Sequence, residues 1–258
     1  MHGLMNKWRN ITMKRINDYP ELTSRISIWL KDYLESTSLG CFVVGVSGGI
    51  DSAVSSTLAA ETGLPVFALG MPIHQKKEQQ DLSDAHLDWL DNRYQNVTVL
   101  RFNLTNTFET FRYDLERFAT DELALANTRS RLRMMTLYQI AGQYRGLVVG
   151  TGNKVEDYGV GFFTKYGDGG VDIAPIADLY KSEVWELGAF LGVDSRIIEA
   201  SPTDGLWEDG RTDEDQLGAS YVDLEEAMEK GTGPALETLE WYNKMNKHKM
   251  EPIPTFKL

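Results

Sequence analysis

The sequence predicts an α/β fold, an open parallel sheet flanked by helices on both faces. Short apolar runs recur as CFVVGV, PVFALGM, VTVLRF and LVVG, and stretches of helical periodicity lie between them. Each run is continuously apolar rather than alternating, the pattern of a strand buried on both faces. Strand and helix taking turns in this way build parallel sheets from crossover units.

In order, residues 21–38 place Ile26, Trp29, Leu30, Tyr33 and Leu34 at helical spacing, and Gly40 ends the pattern before the run CFVVGV. A helix follows over Ser52 to Glu61, a strand over 65–71, a helix from about Glu78 to Leu90, and a strand over 97–102. Two helical stretches, 105–118 and 121–145, lead to a strand at 147–150. Residues 151–172 and 200–220 are rich in glycine and charge and read as loops, while Val184, Leu187 and Leu191 mark a helix between them. LEEAM and ALETLEWYNKMNKH predict a helical C-terminal portion. With no repeat and no low-complexity linker, the expectation is one domain over 1–258, a core of roughly 20–200 and a helical portion from 201 to 258.

Composition narrows the function. A formal charge of −12 and a pI near 4.8 disfavour nucleic-acid and anionic-membrane partners, which such a surface repels. No run approaches a membrane span, and the first residues lack an apolar signal core, so a soluble cytoplasmic protein is expected. Cys41 is the sole cysteine, which excludes an intramolecular disulfide and a thiolate cluster within the chain. His2, His74, His86 and His248 form none of the close-set pairs that zinc sites use.

The most informative segment is SGGIDS at 47–52, where a strand breaks into a helix. In open parallel sheets ligands bind beyond the carboxyl ends of the strands. Gly48 and Gly49 let backbone N–H groups approach an anion, Ser47 and Ser52 add hydroxyls, and the helix N-terminus adds its dipole. Asp51 would repel phosphate unless a divalent cation lay between them, which implies Mg²⁺. The lysine of GxxxxGK[ST] and the spacing GxGxxG are both missing from this loop.

SGGIDS resembles the pyrophosphate-binding loop of the N-type ATP pyrophosphatases, which cleave ATP between the α- and β-phosphates and adenylate a substrate. Residues 148–193, VVGTGNKVEDYGVGFFTKYGDGGVDIAPIADLYKSEVWELGAFLGV, are similar to the central signature of the NAD synthetases of that superfamily. NTRSRLRMM at 127–135, SPTDGLWEDGRTDEDQLG at 201–218 and KHKMEPIP at 247–254 extend the resemblance over most of the chain. It implies the Rossmann-like fold of the adenine-nucleotide alpha hydrolases. It also implies that Gly45, Val46, Ser47, Gly48, Gly49, Ile50, Asp51, Ser52 and Thr151 contact ATP, that Lys181 and Thr203 reach its phosphates, and that Asp51 and Glu156 hold Mg²⁺. Arg131, Lys165, Asp172, His248 and Lys249 match positions that bind nicotinic acid adenine dinucleotide, and a cytoplasmic homodimer is implied. Taken singly, Lys181, Glu156 and Arg131 read more readily as solvated charges, and Asp172 could be a turn residue; their joint fit to one pattern favours the site. Phe162, Phe163 and Tyr166 read as packing groups.

The activity expected from the resemblance is an ATP-dependent amidation, the last step of NAD biosynthesis. The nicotinate carboxylate is adenylated, pyrophosphate departs, and ammonia displaces AMP. Asp51 and Lys181 are the expected catalytic groups, and Asp213 or Asp204 could orient or deprotonate ammonium. Glutamine-dependent relatives need a nucleophilic cysteine in an amidase domain; Cys41 begins a buried strand, so the nitrogen donor expected is free ammonia and no glutaminase domain is expected. Two other readings stand beside this one: the same ATP chemistry on a different acceptor, and a regulatory module that binds ATP without turnover.

Overall fold

A computed structural model of the chain describes residues 15–203, 205–206 and 211–257. Four parallel strands, β1 (Cys41–Gly45), β2 (Val66–Gly70), β3 (Val97–Arg101) and β4 (Gly146–Val149), form a sheet in the order β3-β2-β1-β4. The register places Val43 opposite Phe67 of β2 and Val148 of β4. An isolated parallel bridge from Val149 to Ile173 continues the β4 edge. Because β1 feeds β2 on one side while β4 pairs on its other side, the chain reverses direction across the sheet between β1 and β4. A crevice opens beyond their carboxyl ends at such a switch point.

The helices are α1 (Tyr19–Ser36), α2 (Ile50–Glu61), α3 (Lys77–Arg93), α4 (Thr105–Asp114), α5 (Glu122–Tyr144), α6 (Lys181–Leu191), α7 (Ser195–Glu199), α8 (Asp213–Leu217), α9 (Tyr221–Lys230) and α10 (Leu236–Met250). Caps fix their starts: Asp18 accepts from Glu21 N–H at 2.8 Å and Asp121 from Ala124 N–H at 2.7 Å.

The two faces of the sheet feed two cores. Phe42 and Val44 pack with Leu30, Val54, Leu58, Leu147, Val184 and Leu187, whereas Cys41 and Val43 join Leu69, Ala141 and Val148 beneath α5. Each large apolar side chain taken fully out of water contributes about 1.5–3 kcal/mol. Cys41 is one of these core groups, and burial pushes its thiol pKa up, away from nucleophilic reactivity.

Three segments depart most from the sequence expectation. The stretch at 105–118 leaves the helix after Asp114, since Phe108 is the buried residue of α4 and Tyr113, Leu115 and Phe118 beyond it face solvent. The first polar segment contains a π-helical turn, Val155–Val160, that puts two fully buried valines five residues apart on the core. The second contains α8, started by a reciprocal cap between Thr212 and Asp215.

His86 on α3 is buried, bonds Ser56 Oγ through Nε2 at 3.1 Å and stacks on Trp89. Burial lowers its pKa to about 4. A folded-state pKa below the unfolded value means that the unfolded chain binds the proton first. This contribution, about 3 kcal/mol at full expression, is therefore complete above pH 6.5 and is lost as pH falls from there through about 4. Melting curves of wild type and His86→Phe should show the variant losing less stability over that interval. Parallel pH slopes would contradict the assignment.

Candidate active site

A cavity of about 1080 Å³ opens at the carboxyl ends of β1 and β4. One wall is the turn from β1 into α2. Ser47 N–H donates to Ser52 Oγ at 3.1 Å, Gly49 N–H donates to Ser47 Oγ at 3.2 Å, and Ser52 Oγ donates to Gly49 O at 2.9 Å. These bonds hold the loop as a cup. Gly49, Ile50 and Asp51 line the cavity and no side chain among the described residues caps α2, so the positive end of its dipole is presented there.

The floor is ionic. Lys181, the first residue of α6, is 2% exposed, and its Nζ lies 2.5 Å from Asp51 Oδ2 and 3.2 Å from Glu156 Oε1. Burial works against the ammonium, but attraction to Asp51, Glu156 and Asp213 outweighs it and raises its pKa, so Lys181 is held charged. Burial pushes the Asp51 carboxyl up to about 6 against the pull of Lys181. Asn153 Nδ2 donates to Asp51 Oδ1 at 3.4 Å and braces it from the loop after β4.

Glu156 owes its direction to the π-helical turn, a local widening frequently found at functional sites. Asn153 Oδ1 accepts from the Val155 and Glu156 N–H groups at 3.1 and 3.2 Å, opening that turn as an Asx cap. Asn243 and Asn246 of α10 donate to the carbonyls of Gly159 and Val160 at 2.9 and 2.8 Å, closing it from outside.

Tyr221, the first residue of α9, completes the floor. Fully buried, it donates its hydroxyl to Glu156 Oε1 at 2.7 Å, lies 3.3 Å from Asp213 Oδ2, and holds its ring 4.8 Å below Lys181 Nζ. Burial keeps the hydroxyl protonated by raising its pKa well above the usual value, so it remains a donor. Sequence reasoning missed Tyr221, because an aromatic at a helix start carries no chemical signature. Asp157 was missed too; it lines the cavity, and burial beside Glu156 pushes it up to about 7.

The structure brings Gly45 to Ser52, Thr151, Glu156, Lys181, Thr203 and Asp213 to this cavity. Arg131, Lys165, His248 and Lys249 line it as well. There Arg131 donates to the Lys165 carbonyl at 3.3 Å, Lys165 to the His248 carbonyl at 2.5 Å, and Lys249 to the Phe163 carbonyl at 2.8 Å. The cations thus tie the end of α10 to the 161–170 segment. Asp172 stands apart from the cavity wall: its carboxylate accepts from Val148 N–H at 2.8 Å and Tyr138 Oη at 2.9 Å, bracing β4. Asp204 lies outside the described residues.

Among the described residues no group of three or more His, Cys, Asp or Glu is placed to hold a metal. Asp51 and Glu156 nonetheless offer two hard oxygens, from different segments, converging on one point at the Lys181 ammonium. A donor set of this kind suits Mg²⁺, which takes one or two carboxylates and fills its remaining positions with water and phosphate.

The chain is similar to known proteins over most of its length. Residues 22–253 match the family model described as NAD synthase. The NH(3)-dependent NAD(+) synthetase of Thermococcus kodakarensis is 43% identical over 216 residues, covering 83% of this chain and 82% of that one. Among solved structures, the NMN synthetase from Francisella tularensis superimposes with a TM-score of 0.87 at 34% identity, over 94% of this chain and 100% of that one. The NH3-dependent NAD synthetase from Campylobacter jejuni, determined with nitrate, gives 0.75 at 26% identity over 94% and 100%. The chain belongs to the NAD synthase family.

Proposed function

We propose that the chain is an ammonia-dependent ligase that amidates nicotinic acid adenine dinucleotide to NAD⁺, cleaving ATP to AMP and pyrophosphate. The observation that carries this reading is the buried Lys181 ammonium between Asp51 and Glu156, beneath the SGGIDS cup. The glycine-lined backbone of the cup and the dipole of α2 bind and orient the triphosphate. Asp51 and Glu156 would hold the Mg²⁺ that accompanies ATP, whose chemistry when bound is to neutralise phosphate charge. Lys181 offers a fixed positive charge where the departing pyrophosphate gathers negative charge, and it needs no reorganisation to do so. Thr151 and Thr203 line the cavity beside the phosphates, and Asp213, 3.3 Å from the Tyr221 hydroxyl, is assigned to receive a proton from ammonium. No covalent nucleophile is required, because positioning and charge stabilisation suffice for acyl transfer from an adenylate.

Arg131, Lys165, His248 and Lys249, which line the cavity, are proposed to bind the nicotinate dinucleotide, and Asp172 to serve it indirectly by bracing β4. The proposal includes one catalytic unit over 1–258, supported by the family match over 22–253, and a cytoplasmic homodimer. Among the described residues no helix is long and apolar enough to cross a membrane.

The Francisella comparison favours a second reading in which the acceptor is the mononucleotide, giving nicotinamide mononucleotide by the same chemistry. Purified chain incubated with Mg·ATP, ammonium or glutamine, and each acid in turn, followed by chromatography of the products, separates the two. NAD⁺ with AMP and pyrophosphate, formed with ammonium alone, is the expected result. Faster amidation of the mononucleotide selects the second reading, and no ATP cleavage with either acid contradicts both.

A further inference from the structure

Lys181 is held from behind by residues that do not line the cavity. The Glu183 carboxylate, 3% exposed, accepts from Tyr180 N–H at 2.8 Å, closing the first turn of α6. Its counter-charge comes from the other end of the chain: Arg15 Nε donates to Glu183 Oε1 at 3.0 Å and Arg15 Nη2 to Oε2 at 2.6 Å. The same guanidinium donates to the Asp178 carbonyl at 3.1 Å and lies 4.4 Å from the Tyr180 ring centroid. Arg15 thus grips residues 178, 180 and 183, on both sides of Lys181, without lining the cavity.

The clamp continues to the second acid. Lys154 Nζ lies 4.9 Å from the Tyr180 ring centroid and 2.9 Å from Asp178 Oδ1, and its N–H donates to the Leu179 carbonyl at 2.8 Å. Lys154 stands two residues before Glu156, so one polar assembly sets the segments that present both the ammonium and a proposed metal acid. Glu225 fixes the next position, accepting from Ser182 N–H at 2.9 Å and Ser182 Oγ at 2.6 Å.

A two-pronged guanidinium–carboxylate contact is the pairing that fixes geometry best among charged pairs. Removing one partner leaves a buried charge that must either protonate or turn toward water. For Glu183 the second course pulls on the turn that carries Lys181, and small displacements of a catalytic group are costly in rate. We propose that Arg15 is a positioning residue for Lys181, acting through Glu183 and the 178–180 strap. This inference rests on the ligase reading, in which Lys181 stabilises the departing pyrophosphate.

The test is steady-state pyrophosphate release, with ammonium and the better acid acceptor, by full-length wild type, Arg15→Ala, Glu183→Gln and the double variant, together with their melting temperatures. Arg15→Ala should lower kcat about 10-fold while KM for ATP moves less than about threefold, since the cup that binds ATP is untouched. The double variant should be no slower than the slower single variant, because both act through one contact. Glu183→Gln keeps the shape and the Tyr180 cap while removing the charge. If Arg15→Ala fails to fold, a kcat loss of about threefold or more in Glu183→Gln supports the proposal, and an unchanged kcat overturns it. A lowered melting temperature with wild-type kcat, or losses that multiply in the double variant, also overturns it. A wild type that releases no pyrophosphate sinks the ligase reading and this inference together. An active wild type beside an equally active Arg15→Ala sinks the inference alone.

Discussion

Lys181→Met is expected to lower kcat for ATP cleavage by about 100- to 1000-fold, the usual cost of deleting one preorganised charge donor at a reacting centre. Methionine fills much of the same volume, so the loss reports on charge. The change also leaves Asp51 and Glu156 without the cation that lies 2.5 and 3.2 Å from them, and breaking a buried pair from one side costs about 3–5 kcal/mol. If these two acids are the Mg²⁺ ligands, Mg²⁺ should raise the melting temperature of Lys181→Met more than that of wild type, because in the variant it supplies the missing positive charge. Turnover within about tenfold of wild type would contradict the role given to Lys181. Equal Mg²⁺ responses in the two proteins would contradict the ligand pair.

The second large effect is expected at Gly48. Its φ of +91° lies where side chains are strained, and a Cβ there would sit 2.6 Å from the Gln79 carbonyl oxygen and 2.9 Å from Ser83 N. Both are backbone atoms of α3, which Ser83 Oγ fastens to the cup by donating to the Val46 carbonyl at 2.7 Å. In Gly48→Ala the cup must therefore shift away from α3. The backbone conformation alone costs about 1–3 kcal/mol, and kcat/KM for ATP should fall by about 100-fold as the N–H groups lose their aim. Gly63→Ala is the control. Its φ of +73° carries the conformational cost, but nothing lies within 4 Å of the added methyl, so it should lose stability and keep activity. Comparable activity losses in both variants, measured at a temperature where both are folded, would show that the Gly48 effect is not local.

The sheet and the cup were legible in the sequence for a simple physical reason. A strand buried on both faces must be continuously apolar, and a phosphate loop after it must shed side chains, so CFVVGVSGGIDS announces both. The π-helical turn was not legible, because a reading tuned to a 3.6-residue period has no template for valines five residues apart. The burial of Lys181 was equally hidden. A lysine at a helix start reads as a solvated cap, and its partners Asp51 and Glu156 lie 130 and 25 residues away in sequence. Tyr221 and Arg15 act by where the fold puts them, and neither has a local pattern. Asp172 shows the converse: it matches a family position, while its carboxylate is taken up by Val148 N–H and the Tyr138 hydroxyl and does not line the cavity.

The central claim is that an acyl adenylate links ATP cleavage to amide formation, and oxygen tracing tests it most directly. The acceptor's nicotinate carboxylate is labelled with ¹⁸O and incubated with the purified chain, Mg·ATP and ammonium, and the products are weighed by mass spectrometry. Attack of the carboxylate on the α-phosphorus, followed by ammonia displacing AMP at the acyl carbon, places one labelled oxygen in AMP, leaves one in the amide and leaves pyrophosphate unlabelled. Amide formed beside unlabelled AMP, or label in pyrophosphate, would contradict the adenylate and with it the roles assigned to the cup and to Lys181.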